Sequence, residues 1–259
     1  MSDSAPVRPP RHRGIYLLPN LFTTGAMFAG FYAIIASIDG RFTEAAIAVF
    51  VAALLDGMDG RVARLTGTQT EFGVQYDSLS DLVSFGLAPG LVMYTWSLSA
   101  LAEYGPLWGK LGYAAAFIYA ACAALRLARF NTQVGVADKR YFQGLASPAA
   151  AAVCMSFVWS MDKFGYPGSA LCFVTPWIAV IVGLLMVSRF RYFSFKSLPV
   201  GERQRVPFVW MVGAVLLLAL LVLDPARVLL VGFTLYLLSG PLWTVSGLAT
   251  RRRARRNTP

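Results

Sequence analysis

Long apolar runs alternate along the chain with short joints rich in charge, glycine or proline. A membrane-crossing helix needs roughly 20 mostly apolar residues. Eight stretches are read as such helices: residues 15–38, 43–65, 76–101, 111–130, 145–161, 168–187, 206–223 and 228–245. The fifth is the shortest, and Ser147-Pro148 at its start predicts an N-cap followed by a first-turn proline. The last two are joined by Asp224-Pro225-Ala226-Arg227, a predicted tight turn. None of the joints is long enough for a soluble domain. The predicted fold class is all-α, a polytopic membrane helical bundle. Its expected organisation is a basic tail at 1–14, six spans within 15–200, two additional transmembrane helices within 201–247 and a second basic tail at 248–259.

Composition agrees. The chain is 57% apolar and 14% charged, where a soluble domain carries about 25% charged residues. Residues 1–14 are polar, basic and proline-rich, and no small-residue cleavage site follows, so no secretory signal is expected. Cys122, Cys154 and Cys172 lie inside apolar runs without zinc or disulfide spacing and read as small buried hydrophobes. The single histidine, His12, sits in the tail. That excludes a histidine-based triad, a histidine metal site and a paired-histidine phosphodiesterase mechanism. Most of the six tryptophans fall near span ends and read as interface anchors.

The net charge of +10 is distributed in a way that argues against a nucleic-acid partner. It gathers at loop ends and in the run Arg251-Arg252-Arg253-Ala254-Arg255-Arg256. With both termini in the cytoplasm, only Arg41, Lys110, Lys163 and Arg227 of the 23 lysines and arginines are left outside. The positive-inside rule therefore predicts that orientation, with the basic joints facing anionic membrane lipid.

Four aspartates stand out in this apolar background: Asp56 and Asp59 near the inner end of span two, Asp77 and Asp81 near the inner start of span three. A carboxylate at membrane depth is costly unless paired, wet or metal-bound, and is a functional-site signal by default. On a helix, separations of three and four residues are offsets of about 60° and 40°. Each pair thus shares a face, and all four meet at one depth. Gly57, Gly60 and Gly73 leave room for close backbones and a ligand. An oxygen-only set suits Mg²⁺ or Mn²⁺, and two such ions could clamp a phosphoryl displacement. Arg64, two turns after Asp56, can supply a fixed cation for phosphate. Two other readings are plain helix capping at the membrane surface and a divalent-ion permeation site. A transporter would place its carboxylates nearer the midplane, on discontinuous helices.

The string Asp56-x2-Asp59-Gly60-x2-Ala63-Arg64-x8-Gly73-x3-Asp77-x3-Asp81 resembles the signature of the CDP-alcohol phosphotransferases. The resemblance implies a six-helix catalytic core over 15–200. In that family the aspartates hold two divalent cations. Carried over, Asp56 and Asp77 bridge both ions, Asp59 holds one and Asp81 the other, with Asp81 also the general base. The resemblance likewise assigns Gly60, Arg64 and Thr70 to the CDP part of the substrate. Pro19-Asn20-x2-Thr23 resembles the family's other nucleotide-contacting element, adding Asn20 and Thr23.

Further segments resemble the membrane-embedded phosphatidylserine synthases of that family: residues 84–90, 125–131, 142–150 and 186–196. The expected substrates are then CDP-diacylglycerol and L-serine, and the expected setting is a bacterial inner membrane, with a homodimer as the assembly. Arg126 and Arg129, three residues apart on one helix face, can grip a carboxylate bidentately, or can be plain positive-inside anchors. Ser84, Asn131, Arg191 and Lys196 complete the candidate serine site. Choline, glycerol-3-phosphate and inositol phosphate are the competing acceptors. No side chain reads as a covalent relay, so direct displacement is expected.

Overall fold

The computed structural model describes residues 17–67, 70–132, 141–193 and 208–256; Lys196 and both outermost tail segments lie outside them. The helices are α1 (Leu17–Ile38), α2 (Phe42–Thr66), α3 (Glu71–Asp81), α4 (Ala88–Trp96), α5 (Pro106–Thr132), α6 (Ser147–Lys163), α7 (Thr175–Val187), α8 (Phe208–Leu223) and α9 (Pro225–Arg256). A π-helical segment, Leu82–Leu87, fuses α3 to α4 into one long rod. Local chemistry sets the breaks. Gly40, Gly67 and Gly105 take positive φ where chains turn, and prolines open the first turns of α5, α6, α7 and α9.

Among the described residues, four helical stretches are long and apolar enough to cross a membrane: Pro19–Ile38, Glu71–Tyr104, Pro106–Thr132 and Pro225–Thr244. Thr175–Val187 and Met211–Leu223 are apolar but shorter. The architecture is that of a polytopic helical membrane protein. Small residues let its helices approach. Ala26, Ala29, Ala33 and Ala36 of α1 are buried, as are Ala45, Ala48, Val49 and Ala52 of α2, and these two helices pack as an antiparallel pair. α5 packs on α7, α6 on α2 and α9, and α8 on α9.

Beside the helices the described residues contain a short antiparallel ribbon. Strand β1 (Tyr141–Gln143) pairs with β2 (Arg191–Phe193), Phe142 opposite Tyr192. Gly144 makes the ribbon possible. It has φ +81°, and a Cβ there would overlap the Met186 carbonyl. Three-residue strands are too short to announce themselves by alternation. The N-cap reading of Ser147 is corrected: Ala146 occupies that position, without a side-chain cap. Trp96 is not an interface anchor, because it is buried and packs edge-on against Phe157.

Two prolines create a shared structural problem with a shared solution. Pro89 cannot donate to the Phe85 carbonyl four residues back, and Pro241 cannot donate to Leu237. The Tyr119 hydroxyl donates to Phe85 O at 3.0 Å, and the Tyr192 hydroxyl to Leu237 O at 3.2 Å. Both tyrosines are fully buried. Tyr119→Phe should therefore cost about 1–3 kcal/mol, the penalty of a buried polar group losing its partner. The check is unfolding in detergent; an unchanged midpoint would show that the carbonyl finds another donor.

The helix ends away from the aspartates are tied together by polar contacts. The Thr43 hydroxyl donates to Asp162 at 2.6 Å, and Ser97 donates to Gly168 O at 2.8 Å. Asp224 bridges Lys163 at 3.0 Å and Arg227 at 3.2 Å, fastening the α8–α9 turn to α6. The Lys163 hydrogen bond holds the Asp224 carboxyl below its ordinary range. This clamp is fully present at neutral pH and is lost only as acid protonates Asp224 below that range. A cavity of about 420 Å³ opens at this same end, lined in part by Thr95, Ser99, Glu103 and Asp162, across the bundle from the aspartates.

Candidate active site

The site is assembled by three helices. α2 presents Asp56 and Asp59, α3 presents Asp77 and Asp81, and α1 runs beside both. Residues of α3 and its π extension stitch the rod to α1. Tyr76 Oη lies 2.9 Å from Thr24 Oγ1, Ser80 donates to Thr23 O at 3.0 Å, and Ser84 donates to Ala26 O at 3.0 Å. Their spacing of four residues makes them one stripe. Gly30 allows the contact, since a Cβ there would stand 2.6 Å from Ser84 Oγ. The stripe turns Asp77 and Asp81 toward α2.

One carboxylate oxygen from each of Asp56, Asp59 and Asp77 lies within 4.8 Å of the other two. Asp59 is buried, 5% exposed, and the others are half-buried. The Thr23 hydroxyl donates to Asp59 Oδ2 at 2.7 Å and fixes that carboxylate. Asp77 Oδ1 is buried and has no hydrogen-bond partner. Three like charges this close, one with an orphaned oxygen, repel each other unless a cation lies among them. The residues therefore fit a divalent metal. Asp81 stands beside the triple, interacting with Asp56 and Asp77.

The remaining sequence candidates divide by surroundings. Arg64 follows at the end of α2, its Nε donating to Gly60 O at 2.8 Å. Thr70 caps α3 by accepting from Gly73 N at 3.0 Å, and Asn20 Oδ1 also lies close to Gly73. Arg126 on α5 lies within electrostatic reach of Asp81; its Nη1 donates to Ser147 Oγ at 2.9 Å, and its buried Nε has no partner. Arg129 points elsewhere, donating to Val187 O at 3.4 Å and to Gln143. Asn131 donates to Ser78, the neighbour of Asp77, at 2.9 Å. Ser84 is wholly buried with its proton given to α1. Arg191 lies on β2 opposite Gln143, and Lys196 is outside the described residues.

Sequence reasoning misses Ser80, Tyr76 and Ser147 as parts of this framework. The four-residue spacing of Tyr76, Ser80 and Ser84 was the available signal for the first two. For Ser147 none existed, because its partner is 21 residues away on another helix.

The sequence model described as CDP-alcohol phosphatidyltransferase matches residues 16–185. A Helicobacter pylori strain J99 protein named CDP-diacylglycerol–serine O-phosphatidyltransferase is 34% identical over 87% of this chain and 90% of its own length. A Mycobacterium leprae protein of the same name is 30% identical over 80% of this chain and 68% of its own length. A Methanothermobacter thermautotrophicus protein named archaetidylserine synthase is 35% identical over 68% of this chain and 69% of its own length.

Proposed function

The chain belongs to the CDP-alcohol phosphatidyltransferase family, and we propose that it transfers the phosphatidyl group of CDP-diacylglycerol to L-serine, giving phosphatidylserine and CMP. The observation that carries this reading is the meeting of three carboxylates, with a fourth beside them and a partly unpartnered arginine within electrostatic reach of the fourth. The names of the relatives support the choice of substrates.

Asp56, Asp59 and Asp77, with Asp81 next to them, are the proposed holders of two divalent ions, Mg²⁺ or Mn²⁺. Bound there, the ions would neutralise charge on the pyrophosphate and on the leaving CMP. The protein's own groups do the rest. Thr23 orients Asp59. Gly60, Arg64, Thr70 and Asn20 line the approach for the CDP moiety, with the Arg64 guanidinium beside its phosphates. Asp81 takes the proton of the serine hydroxyl. The freed oxygen bonds to the lipid-side phosphorus, and the bond from that phosphorus to the CMP oxygen breaks. Arg126 receives the serine carboxylate, and Asn131, held by Ser78 beside Asp77, adds a neutral hydrogen bond to the acceptor. The charge distribution supports an active site and both termini on the cytoplasmic side of a bacterial inner membrane. The division into a six-span core and two added spans, and a homodimeric assembly, belong to the same proposal.

The test is purified protein with labelled CDP-diacylglycerol and a panel of acceptors: serine, serinol, choline, glycerol-3-phosphate and inositol phosphate, each with and without chelator. CMP release that requires serine and a divalent ion is expected. Release with another acceptor alone would keep the family and overturn serine. Divalent-ion movement in proteoliposomes without CMP would favour a transporter.

The two arginines should separate kinetically. Arg126→Ala should raise the serine KM by roughly 10- to 150-fold, the worth of a charge-assisted hydrogen bond at about 1.5–3 kcal/mol. Its effect on the CDP-diacylglycerol KM should be small. Arg129→Ala should loosen the α5–β1–α7 junction and lower thermal stability, with a smaller effect on serine. Equal effects on the serine KM would show that Arg129 also reaches the acceptor.

A further inference from the structure

α5 meets the rod of α3, the π-helical segment and α4 at a series of levels. A Cβ on Gly90 would stand 3.3 Å from the Ala116 carbonyl oxygen, and one on Gly86 would stand 3.2 Å from the Ala123 Cβ. At the far end Asn131 Nδ2 donates to Ser78 Oγ at 2.9 Å, and Ser78 Oγ lies 3.3 Å from Asn131 Oδ1. As the rod residue falls from 90 to 86 to 78, its α5 neighbour rises from 116 to 123 to 131, so the two run antiparallel in one register. In that register Asp81 and Arg126 both lie between the Gly86–Ala123 level and the Ser78–Asn131 level. The interval along α5 is about 12 Å, at about 1.5 Å per residue.

The contacts change character across this interval. Glycine against alanine closes the gap at one end, whereas two polar side chains are needed to bridge it at the other. The helices therefore splay toward the start of α3, the proposed cytoplasmic end. Among the described residues, the Ser78–Asn131 pair is the only side-chain hydrogen-bonded link between α3 and α5. The half-buried Ser78 donates its proton to Val74 O at 3.0 Å, which leaves its oxygen to accept the Asn131 amide. One amide hydrogen of Asn131 remains for the acceptor. We infer that Ser78 is a positioning residue: through Asn131 it fixes the splay of α5 from α3, and so sets the size of acceptor taken at the level of Asp81 and Arg126. The tie favours a short hydroxy-amino acid over one carrying an extra methylene. This rests on the proposed serine transfer.

The experiment measures CMP release from labelled CDP-diacylglycerol by the full-length protein in detergent, with serine and homoserine as acceptors. Ser78→Ala should raise the serine KM roughly three- to tenfold, the worth of one neutral hydrogen bond, with the CDP-diacylglycerol KM within about twofold of wild type. Homoserine should lose less, so selectivity for serine over homoserine should fall by a similar factor. Ser78→Thr keeps the hydroxyl and should restore both the serine KM and the selectivity. In an Asn131→Ala background Ser78→Ala should add little, because a residue acting through Asn131 cannot act twice. A Ser78→Ala protein with wild-type serine KM and selectivity would overturn the inference, even if its thermal stability and its kcat with both acceptors fell together. So would a full additional loss in the Asn131→Ala background. Failure of the wild type to use serine would overturn the proposed function instead, so the two failures are distinct.

Discussion

Asp77→Asn abolishes transfer and yet raises the thermal stability of the metal-free protein. Both halves of this expected result come from one geometry. The Asp56, Asp59 and Asp77 carboxylates have oxygens mutually within 4.8 Å, and Asp77 Oδ1 is buried without a partner. In the metal-free protein these like charges repel at partial burial, so an isosteric neutral amide removes a destabilising interaction. With metal the sign reverses. A ligand that binds only the folded protein adds about 2.7 kcal/mol of stability at a hundredfold excess over its Kd. A neutral amide is a much poorer ligand for a hard cation, so the variant should lose most of that increment together with turnover. The measurement is a pair of unfolding curves, chelated and in Mg²⁺ or Mn²⁺, for wild type and variant, beside the CMP assay. Wild-type activity in excess chelator would sink the metal reading outright. A variant that still gained the full stabilisation from metal would move Asp77 out of the binding set.

The parts legible in the sequence are those that one helix decides alone. Asp56 with Asp59, and Asp77 with Asp81, share faces because three and four residues nearly close a turn, and helices of opposite direction bring the pairs to one level. The parts hidden from the sequence depend on how one helix is rotated against another. Ser84 reads as a polar group beside the aspartates, but the rod beyond Asp81 is π-helical, with Ala88 N bonded to Val83 O. Each residue there subtends a smaller rotation than in an α-helix, which turns Ser84 further from Asp81 while it keeps the α1-facing side it shares with Ser80. Pro89 was the one local clue to that irregularity, since it removes a helical donor. Thr23 reads as a nucleotide contact, and its hydroxyl is also engaged with Asp59 across 36 residues, a tie that no local pattern announces. Arg126 and Arg129 look equivalent at a spacing of three. Only the ribbon, which brings Gln143 to Arg129, tells them apart.

Asp81→Asn should fail differently from Asp77→Asn. Asp81 interacts with Asp56 and Asp77 but stands beside the triple, and Arg126 on α5 is within its electrostatic reach. It is therefore the carboxylate, next to the proposed metal ligands and within reach of the proposed acceptor contact, that is proposed to take the serine proton. Asparagine keeps the shape and removes the basic oxygen. Loss of a general base costs about 10²–10⁴-fold in rate, and that loss should fall on kcat. The three remaining carboxylates should preserve most of the metal-induced stabilisation and much of the affinity for CDP-diacylglycerol. The serine KM should change little, because Arg126 and not Asp81 holds the carboxylate in this reading. Single-turnover kinetics separates the cases. A slow chemical step with near-normal substrate binding assigns Asp81 to proton removal, whereas loss of metal stabilisation equal to that of Asp77→Asn makes it a fourth ligand first. An Asp81→Asn protein within a few-fold of wild type would remove Asp81 from the chemistry and leave the proton of serine without an acceptor among the four aspartates.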